Sequence, residues 1–426
     1  MTPPDAYAPQ SGDPSYDVRA YDIRLSYRVR SNRLDGHAIL HGVAIEKTSS
    51  VRVDLIGLRA GKIRMDGEPV GRVSQGPRAV RVTLPRTLEP GEEFSLEIPY
   101  SGKPGPRRSR WGAIGWEELS DGALVASQPV GAPTWFPCND RPDSRARFRI
   151  EVGVERGYRV AATGSPVARR VAGAEEIWEF VSDVPTATYL AAVHIGPYVE
   201  RMLERARIVY PPALSAAVAA AFAPLPDMFA CFERHFGAYP QTDYTVVVTE
   251  DPLEIPLEAQ GLAVFGRNHL DAASERLVAH ELAHQWFGNS VGIRRWQDIW
   301  LNEGFACFAE WVWSEASGGP TIAACADAHH AVLRAAAQDL LLTDPGPDRM
   351  FDDRVYKRGA LALEALRRRD GDERLFALLR AWTARHRHGL VTTDDFRALA
   401  GPASADLLSA WIDRTALPDL PPGPRR

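Results

Sequence analysis

The sequence predicts an α+β protein with two domains, and three observations support this prediction. The chain has 426 residues, which is long for a single hydrophobic core. From Tyr16 to about Tyr198, apolar and polar residues alternate in short runs separated by Gly and Pro, a pattern typical of a β-sandwich-like domain. From Ser274 onward, apolar residues recur at the three- and four-residue spacing of helices.

The change of pattern near residue 200 sets the expected domain boundaries. We expect a flexible N-terminus over residues 1–16, a β-rich domain over 17–200, a mainly helical domain over 201–415 and a flexible tail over 416–426. The N-terminus is rich in Pro, Ser and Asp, and the tail is rich in Pro, so neither end offers a face for packing.

Composition limits the possible partners. The net charge of -5 argues against nucleic acid, because phosphate binding favours a basic excess. The four cysteines form no CxxC pair, which favours a reducing, cytoplasmic location. The N-terminus has no basic-then-apolar signal, and Pro224 interrupts the most apolar stretch, near 213–225. We therefore expect no membrane segment, while the oligomeric state stays open.

Residues 279–306 carry a pattern typical of a metal site, AHELAHQWFGNSVGIRRWQDIWLNEGFA. His280 and His284 are one helical turn apart and point the same way, so they can share one ion. Imidazole nitrogens suit zinc, and a catalytic zinc takes three protein ligands. Glu303, on the next predicted helix, is the natural third ligand, which gives one zinc per chain.

Two further glutamates accompany these ligands. Glu281 is adjacent to His280 and cannot share its direction, so it is placed to act on water as general base and later as acid. Glu310 lies two helical turns after Glu303 on the same face. Metal-binding histidines usually donate their other N–H to a carboxylate, and Glu310 is the candidate acceptor.

The segments HELAHQWFGN and WLNEGFA resemble the aminopeptidase N family of zinc metallopeptidases, the gluzincins. The resemblance covers most of the chain. It implies an N-terminal β-rich domain followed by a thermolysin-like catalytic domain. The chain continues only from residue 304 to 426 after Glu303, so it resembles a short form that lacks most of the family's C-terminal helical domain.

The same resemblance implies residues that bind the substrate's free amine. In IPLEAQGLAVF, Glu258 takes the place of the family glutamate that binds the amine, and Gly261 matches the residue that follows, although the family's Gly, Met and Asn are absent. In SQPVGAPTWFPCND, Gln128 falls where the family has Gln or Glu contacting the same amine. The peptide is then expected to lie antiparallel along the strand near Gly261 to Phe265.

A third segment, RVYKRGALAL, resembles the family's Tyr-x-Lys-Gly pattern, with Arg358 where Lys is common. Tyr356 takes the place of the catalytic tyrosine. An unperturbed tyrosine has a pKa of about 10, so its phenol stays protonated near neutrality. It can therefore donate a hydrogen bond to the oxyanion of a tetrahedral intermediate.

These features predict a zinc-dependent aminopeptidase that removes the N-terminal residue from peptides with a free amine. Two alternatives stay open. One is a different hydrolase on the same site, either an endopeptidase or an epoxide hydrolase. The other is a zinc-free scaffold that only binds partners, against which the intact set of His280, Glu281, His284 and Glu303 argues.

Overall fold

The structure is a computed structural model that describes residues 4–422. These residues fall into two compact units. The first unit comprises residues 4–215 and 242–267, and the second comprises residues 216–241 and 268–422.

The first unit is built almost entirely from strands. In chain order they are β1 (Tyr16–Arg28), β2 (Arg33–Ala44), β3 (Thr48–Asp54), β4 (Leu58–Ala60), β5 (Arg64–Met65), β6 (Glu68–Pro69), β7 (Val73–Gln75), β8 (Ala79–Leu88), β9 (Glu93–Gly102), β10 (Arg107–Ser109), β11 (Gly112–Leu119), β12 (Gly122–Ala126), β13 (Arg145–Glu155), β14 (Arg159–Ala162), β15 (Ser165–Ala172), β16 (Glu175–Ala187), β17 (Val193–Gly196), β18 (Val199–Leu203), β19 (Ala206–Tyr210), β20 (Tyr244–Thr249), β21 (Leu257–Ala259) and β22 (Leu262–Gly266).

Four sheets organise these strands. The largest has the order β15-β16-β13-β1-β2-β9-β5-β6, with β4 also paired to β9, and only β1 and β13 run parallel in it. A second sheet has the order β10-β11-β12-β17-β14, and a small one the order β3-β8-β7. The fourth has the order β18-β19-β20-β22-β21, where β19, β20 and β22 are parallel and β21 is an antiparallel edge strand.

The compact units differ from the expected domains at one point. The strands from Val199 to Gly266 fall in the first unit, although we expected the second domain to begin at residue 201. The reason is a shared apolar cluster, in which Ala161 of the second sheet and Ala192, just before β17, pack with Val209 and Val264 of the fourth. Apolar burial therefore joins the fourth sheet to the β-rich unit.

The first residues also differ from the expected flexible N-terminus, as far as they are described. The amide of Gly12 donates to Asp54 Oδ2 at 2.6 Å, and the amide of Asp13 donates to Asn139 Oδ1 at 2.7 Å. Arg52 donates to the Gly12 carbonyl at 2.6 Å. These hydrogen bonds hold the segment before β1 to β3 and to Asn139, and two of its apolar side chains, Tyr7 and Ala8, are buried as well.

The second unit is mainly helical. Its elements are α1 (Ser215–Ala221, whose first residue closes the preceding segment), α2 (Leu225–Phe236), α3 (Glu275–Ala283), α4 (Trp300–Ala316), α5 (Ile322–Ala335), α6 (Asp353–Asp370), α7 (Asp372–Arg385), α8 (Thr393–Ala400) and α9 (Ala405–Ile412), with the short parallel pair β23 (Gly292–Ile293) and β24 (Leu390–Val391). Within residues 4–422, no single helix has the length and apolar composition to cross a membrane, and one pair bent by 43°, Pro212–Ala221 with Leu225–Phe236, has both only when taken together.

Helices α4 and α6 approach each other closely at two glycines. A Cβ on Gly304 would lie 2.7 Å from the Cα of Gly359, so neither position accommodates a side chain without a shift of the backbone. Gly304 follows Glu303, and Gly359 lies one helical turn after Tyr356. The glycine contact thus fixes the spacing between α4, which carries Glu303 and Glu310, and α6, which carries Tyr356.

The end of the described chain is also more ordered than the expected flexible tail. His330 lies 2.7 Å from the carbonyl oxygen of Pro418 through Nε2, and the amide of Leu417 donates to Gln338 at 2.8 Å. Arg358 is buried and donates to main-chain carbonyls that include those of Trp411, Thr415 and Ala416. The part of the expected tail over 423–426 lies outside the described residues.

Candidate active site

The second unit brings the three predicted metal ligands together. His280 lies in the last turn of α3 and His284 at its C-cap, while Glu303 lies in the first turn of α4. Glu303 Oε2 is 3.5 Å from His280 Nε2 and 3.4 Å from His284 Nε2. One candidate ligand atom from each residue lies within 4.8 Å of the other two, and all three side chains are buried.

The other ring nitrogens settle the orientation of both imidazoles. His284 Nδ1 lies 3.0 Å from the Phe287 carbonyl oxygen, which only accepts, so Nδ1 carries the hydrogen. His280 Nδ1 lies 2.8 Å from Glu310 Oε1 and donates to it, as predicted for Glu310. Both Nε2 atoms are therefore directed toward Glu303, which is the orientation that zinc ligands require once Nε2 is deprotonated.

The electrostatics of this cluster suit a divalent cation. Burial would raise the pKa of Glu303, but the charge of His284 and hydrogen bonds from both histidines lower it. Burial lowers the pKa of His280, yet its hydrogen bonds to Glu303 and Glu310 outweigh burial and raise it to about 9. The buried carboxylates thus stay ionised and attract positive charge to this cluster, which a divalent cation would also supply. Two imidazole nitrogens and a carboxylate oxygen fit zinc.

Glu310 has a second partner that the sequence analysis missed. Arg276 donates to Glu310 Oε2 at 3.2 Å, while Oε1 accepts from His280. The pKa of Glu310 is lowered to about 2, because the hydrogen bond from His280 and nearby cations outweigh burial. Arg276 precedes His280 by one helical turn, so helical spacing from the motif is the signal that would have found it.

Glu281 and Tyr356 lie in the same unit as the predicted ligands. Glu281 follows His280 on α3 and is buried. Tyr356 is in the first turn of α6, and its ring stacks on His280 with the centroids 6.0 Å apart and the planes inclined by 20°. The structure therefore places both predicted catalytic residues in the second unit, Glu281 on α3 itself and Tyr356 against its His280.

The first unit pairs the two predicted amine-binding residues. Gln128 follows β12, and Glu258 is the central residue of the edge strand β21. Gln128 Nε2 donates to Glu258 Oε1 at 2.7 Å, across 130 positions of sequence. This hydrogen bond uses an amide hydrogen of Gln128. The carbonyl oxygen of the same side chain can therefore accept a hydrogen bond, as the Glu258 carboxylate can.

The structure gives Gly261 a backbone reason to be glycine. It lies in the turn between β21 and β22 with a φ of 68°, in the left-handed region. The expected peptide path along Gly261 to Phe265 is wrong, because β22 is already paired to β20 on one side and to β21 on the other. The outer strand of this sheet is β21, which carries Glu258.

Comparison with known proteins identifies the family. The model of the peptidase M1 N-terminal domain matches residues 17–190, and that of the peptidase family M1 domain matches residues 224–414. An M1 zinc metallopeptidase from Deinococcus radiodurans is 30% identical with a TM-score of 0.91, and the alignment covers 98% of this chain and 99% of that one. The chain belongs to peptidase family M1. This confirms the resemblance to aminopeptidase N and the two-domain α+β fold class.

Other M1 relatives carry names that describe their activity. A variant of the Deinococcus radiodurans M1 zinc metallopeptidase, solved with a Tyr-Ser-Ala substrate, is 31% identical with a TM-score of 0.90, covering 98% of each chain. The leucyl aminopeptidase of Saccharolobus solfataricus is 25% identical over 94% of this chain. The human endoplasmic reticulum aminopeptidase 1 is 29% identical over 71% of it. The chain spans only 54% and 36% of the lengths of these two curated relatives.

Proposed function

We propose that this M1 family chain is a zinc-dependent aminopeptidase that hydrolyses the N-terminal residue from peptides. The observation that carries the proposal is the convergence of His280 Nε2 and His284 Nε2 on Glu303, with both Nδ1 atoms already occupied by acceptors. The names of the M1 relatives and the substrate-bound relative support the same reaction.

In this proposal His280, His284 and Glu303 hold one zinc ion per chain. When bound, zinc supplies a Lewis acid that polarises the scissile carbonyl and acidifies water. Glu310 accepts from His280 Nδ1 and so directs Nε2 toward Glu303, while Arg276 donates to the other oxygen of Glu310. The chain thereby orients its ligands before any metal is present.

Glu281 transfers the proton, and Tyr356 stabilises the negative charge of the intermediate. The Glu281 carboxylate takes the proton of the attacking water and then gives it to the leaving nitrogen, so the same group serves as base and acid. The Tyr356 phenol donates a hydrogen bond to the oxyanion as the carbonyl becomes tetrahedral. Its stacking on His280 limits the directions in which the hydroxyl can point.

The Gln128–Glu258 pair supplies the selectivity for a free amine. An ammonium gains a charge-assisted hydrogen bond from the Glu258 carboxylate and a second acceptor in the Gln128 carbonyl oxygen. An acylated amine brings no charge and leaves the carboxylate desolvated without a cation. Because β21 is the edge strand of its sheet, the substrate main chain can extend the sheet beside Glu258.

The test is kcat/KM for an aminoacyl substrate and its N-acetyl analogue. A charge-assisted hydrogen bond contributes about 1.5–3 kcal/mol, so the free amine should be preferred by roughly tenfold to a hundredfold. Glu258→Ala should remove most of that preference, and Gln128→Ala should reduce it less because no charge is lost. Glu254→Ala, at an exposed glutamate three residues before β21, is the matched control.

Two results would contradict parts of the proposal. Equal cleavage of both substrates by the wild type would indicate an endopeptidase. If wild type and Glu258→Ala prefer the free amine to the same degree, the aminopeptidase activity stands but Glu258 is not the residue that binds the amine.

A further inference from the structure

A small cavity lies beside the Gln128–Glu258 pair, wholly within the first unit. Its walls come from β12 and the residues after it, from β17, and from β21 and β22. Most of the lining residues are apolar, but four of them are polar or charged: Ser127, Gln128, His194 and Glu258. The cavity has room for about one water molecule.

His194 is the unexpected member of this lining. It is fully buried on β17, where its neighbours Val193 and Ile195 belong to the main apolar core on the other face of the strand. Within the described residues 4–422, neither of its ring nitrogens has a hydrogen-bond partner. A buried polar group without a partner costs stability, so its presence calls for a ligand.

Ser127 adds a second polar group with the same need. Its side chain is buried next to Gln128 in the chain, and its Oγ also has no hydrogen-bond partner among the residues that the structure describes. Burial lowers the pKa of His194 to about 3, so the ring is neutral and offers one donor and one acceptor. A single water would then find the two to four polar partners that buried waters have.

We propose that His194 is a positioning residue for the amine anchor, acting on the Gln128–Glu258 pair through one water molecule held in this cavity. The proposal rests on the aminopeptidase function proposed above. The water accepts from or donates to His194 and Ser127, and its remaining hydrogen bonds fix the side chains of Gln128 and Glu258. The pair is thereby held in the orientation that receives an ammonium, without any charge contributed by His194.

The experiment combines a structure with kinetics on the full chain. A high-resolution crystal structure of the wild type should show an ordered water within hydrogen-bond distance of a His194 ring nitrogen. His194→Leu removes both ring nitrogens at similar volume, and His194→Gln keeps a donor and an acceptor. His41→Leu makes the same chemical change at an exposed histidine and is the matched control.

We expect His194→Leu to raise KM for the free-amine substrate about tenfold, with kcat within about twofold, which corresponds to the loss of one oriented hydrogen bond. KM for the N-acetyl analogue should not change. His194→Gln should restore most of the affinity. Thermal unfolding should show His194→Leu to be at least as stable as wild type, because an apolar side chain replaces a buried polar one.

Several outcomes would overturn the proposal. His194 would have only a packing role if the wild-type structure lacks the water. The same conclusion would follow if His194→Leu folds and keeps its KM and its amine preference unchanged. If His194→Leu does not fold, the crystallographic water and the KM of His194→Gln decide the question. A wild type without amine preference would overturn the proposed function as well, whereas a preference shared by His194→Leu would overturn only the role of His194.

Discussion

Buried carboxylates occur in both units, and they behave in opposite ways. In the first unit, burial raises the pKa of Asp54 to about 6 and that of Asp140 to about 7, because the nearby arginines do not compensate the desolvation. In the second unit, Glu303 and Glu310 are as deeply buried, yet their pKa values are lowered. Burial is the largest single influence on all four groups, so the difference comes from their partners.

The partners explain what each pair is suited to do. Glu303 and Glu310 share His280 between them and stay ionised, which is what a metal ligand and the carboxylate behind it require. Asp54 accepts from the main-chain amides of Gly12 and Asp140 and forms an ion pair with Arg52 at 2.5 Å, while Asp140 accepts from the Thr188 hydroxyl. The buried carboxylates Glu303 and Glu310 are therefore suited to a cation site, and Asp54 and Asp140 to holding segments of the first unit together.

The largest expected effect tests whether the chemistry depends on a carboxylate at all. Glu281→Gln keeps the shape of the side chain but removes the base, and general acid–base catalysis contributes about 10²–10⁴-fold. We expect kcat to fall by that factor while one zinc per chain is retained, as measured by elemental analysis of the same preparation. An active variant would remove Glu281 from the proposed role. If the wild type contains no zinc after purification and takes none up when zinc is added, the proposed zinc site is rejected.

The next effect concerns the neutral member of the site. Tyr356→Phe keeps the ring that stacks on His280 and removes only the hydroxyl. Loss of one oxyanion donor costs about 10²–10³-fold in kcat, and we expect KM and zinc content to change little. Tyr239→Phe, at another tyrosine of the second unit, is the control for loss of a hydroxyl. A normal kcat in Tyr356→Phe would assign the oxyanion to another donor.

A smaller effect is expected at Glu310, which contacts the ligand His280 but is not itself a predicted metal ligand. Glu310→Gln replaces the carboxylate that fixes the His280 tautomer, and such changes typically lower metal affinity about 10–100-fold. Competition with a chelator, followed by metal analysis, measures this without relying on turnover. Glu373→Gln, at an exposed glutamate on α7, should bind metal like wild type. Unchanged affinity in Glu310→Gln would mean that the Phe287 carbonyl and the ligands themselves orient the site.

The sequence predicted the site where spacing along a helix determines geometry. His280, His284, Glu303 and Glu310 follow from turns of α3 and α4, and the structure brings them together. Glu258 and Gln128 required the resemblance, because 130 positions separate them. The peptide path was wrong because local pattern does not reveal which strands flank β22.

Other features could not be predicted because they depend on long-range packing. His194 looks like any strand residue until the fold closes a cavity around it. Asp54 and Asp140 meet through an isolated bridge between distant segments, Asp54 with Cys138. The order of the segment before β1 has the same origin, since its partners lie up to 128 positions away.

The last and smallest effect is a pH dependence of stability that comes from Asp140. Asp140 is buried, accepts from the Thr188 hydroxyl at 2.7 Å and has the like charge of Asp54 nearby, with Arg107 and Arg52 as the cations that face it. Its folded pKa of about 7 lies above the ordinary value of 3.8. The folded state therefore binds the proton more tightly than the unfolded state. The resulting stabilisation is complete below about pH 3.8 and is lost as the pH rises through about 7.

Asp140→Asn removes this titration and keeps an oxygen that can accept from Thr188. Since each pKa unit corresponds to about 1.4 kcal/mol, the free energy of unfolding of the variant relative to wild type should increase by about 1–3 kcal/mol between pH 5 and pH 8. Urea unfolding of both proteins at the two pH values measures it. Asp183→Asn, at an exposed aspartate of the same unit, should show no such change. If the difference in unfolding free energy between variant and wild type stays constant, or grows toward pH 5, Asp140 is ionised in the folded state like Glu303. The contrast between the buried carboxylates of the two units would then not hold.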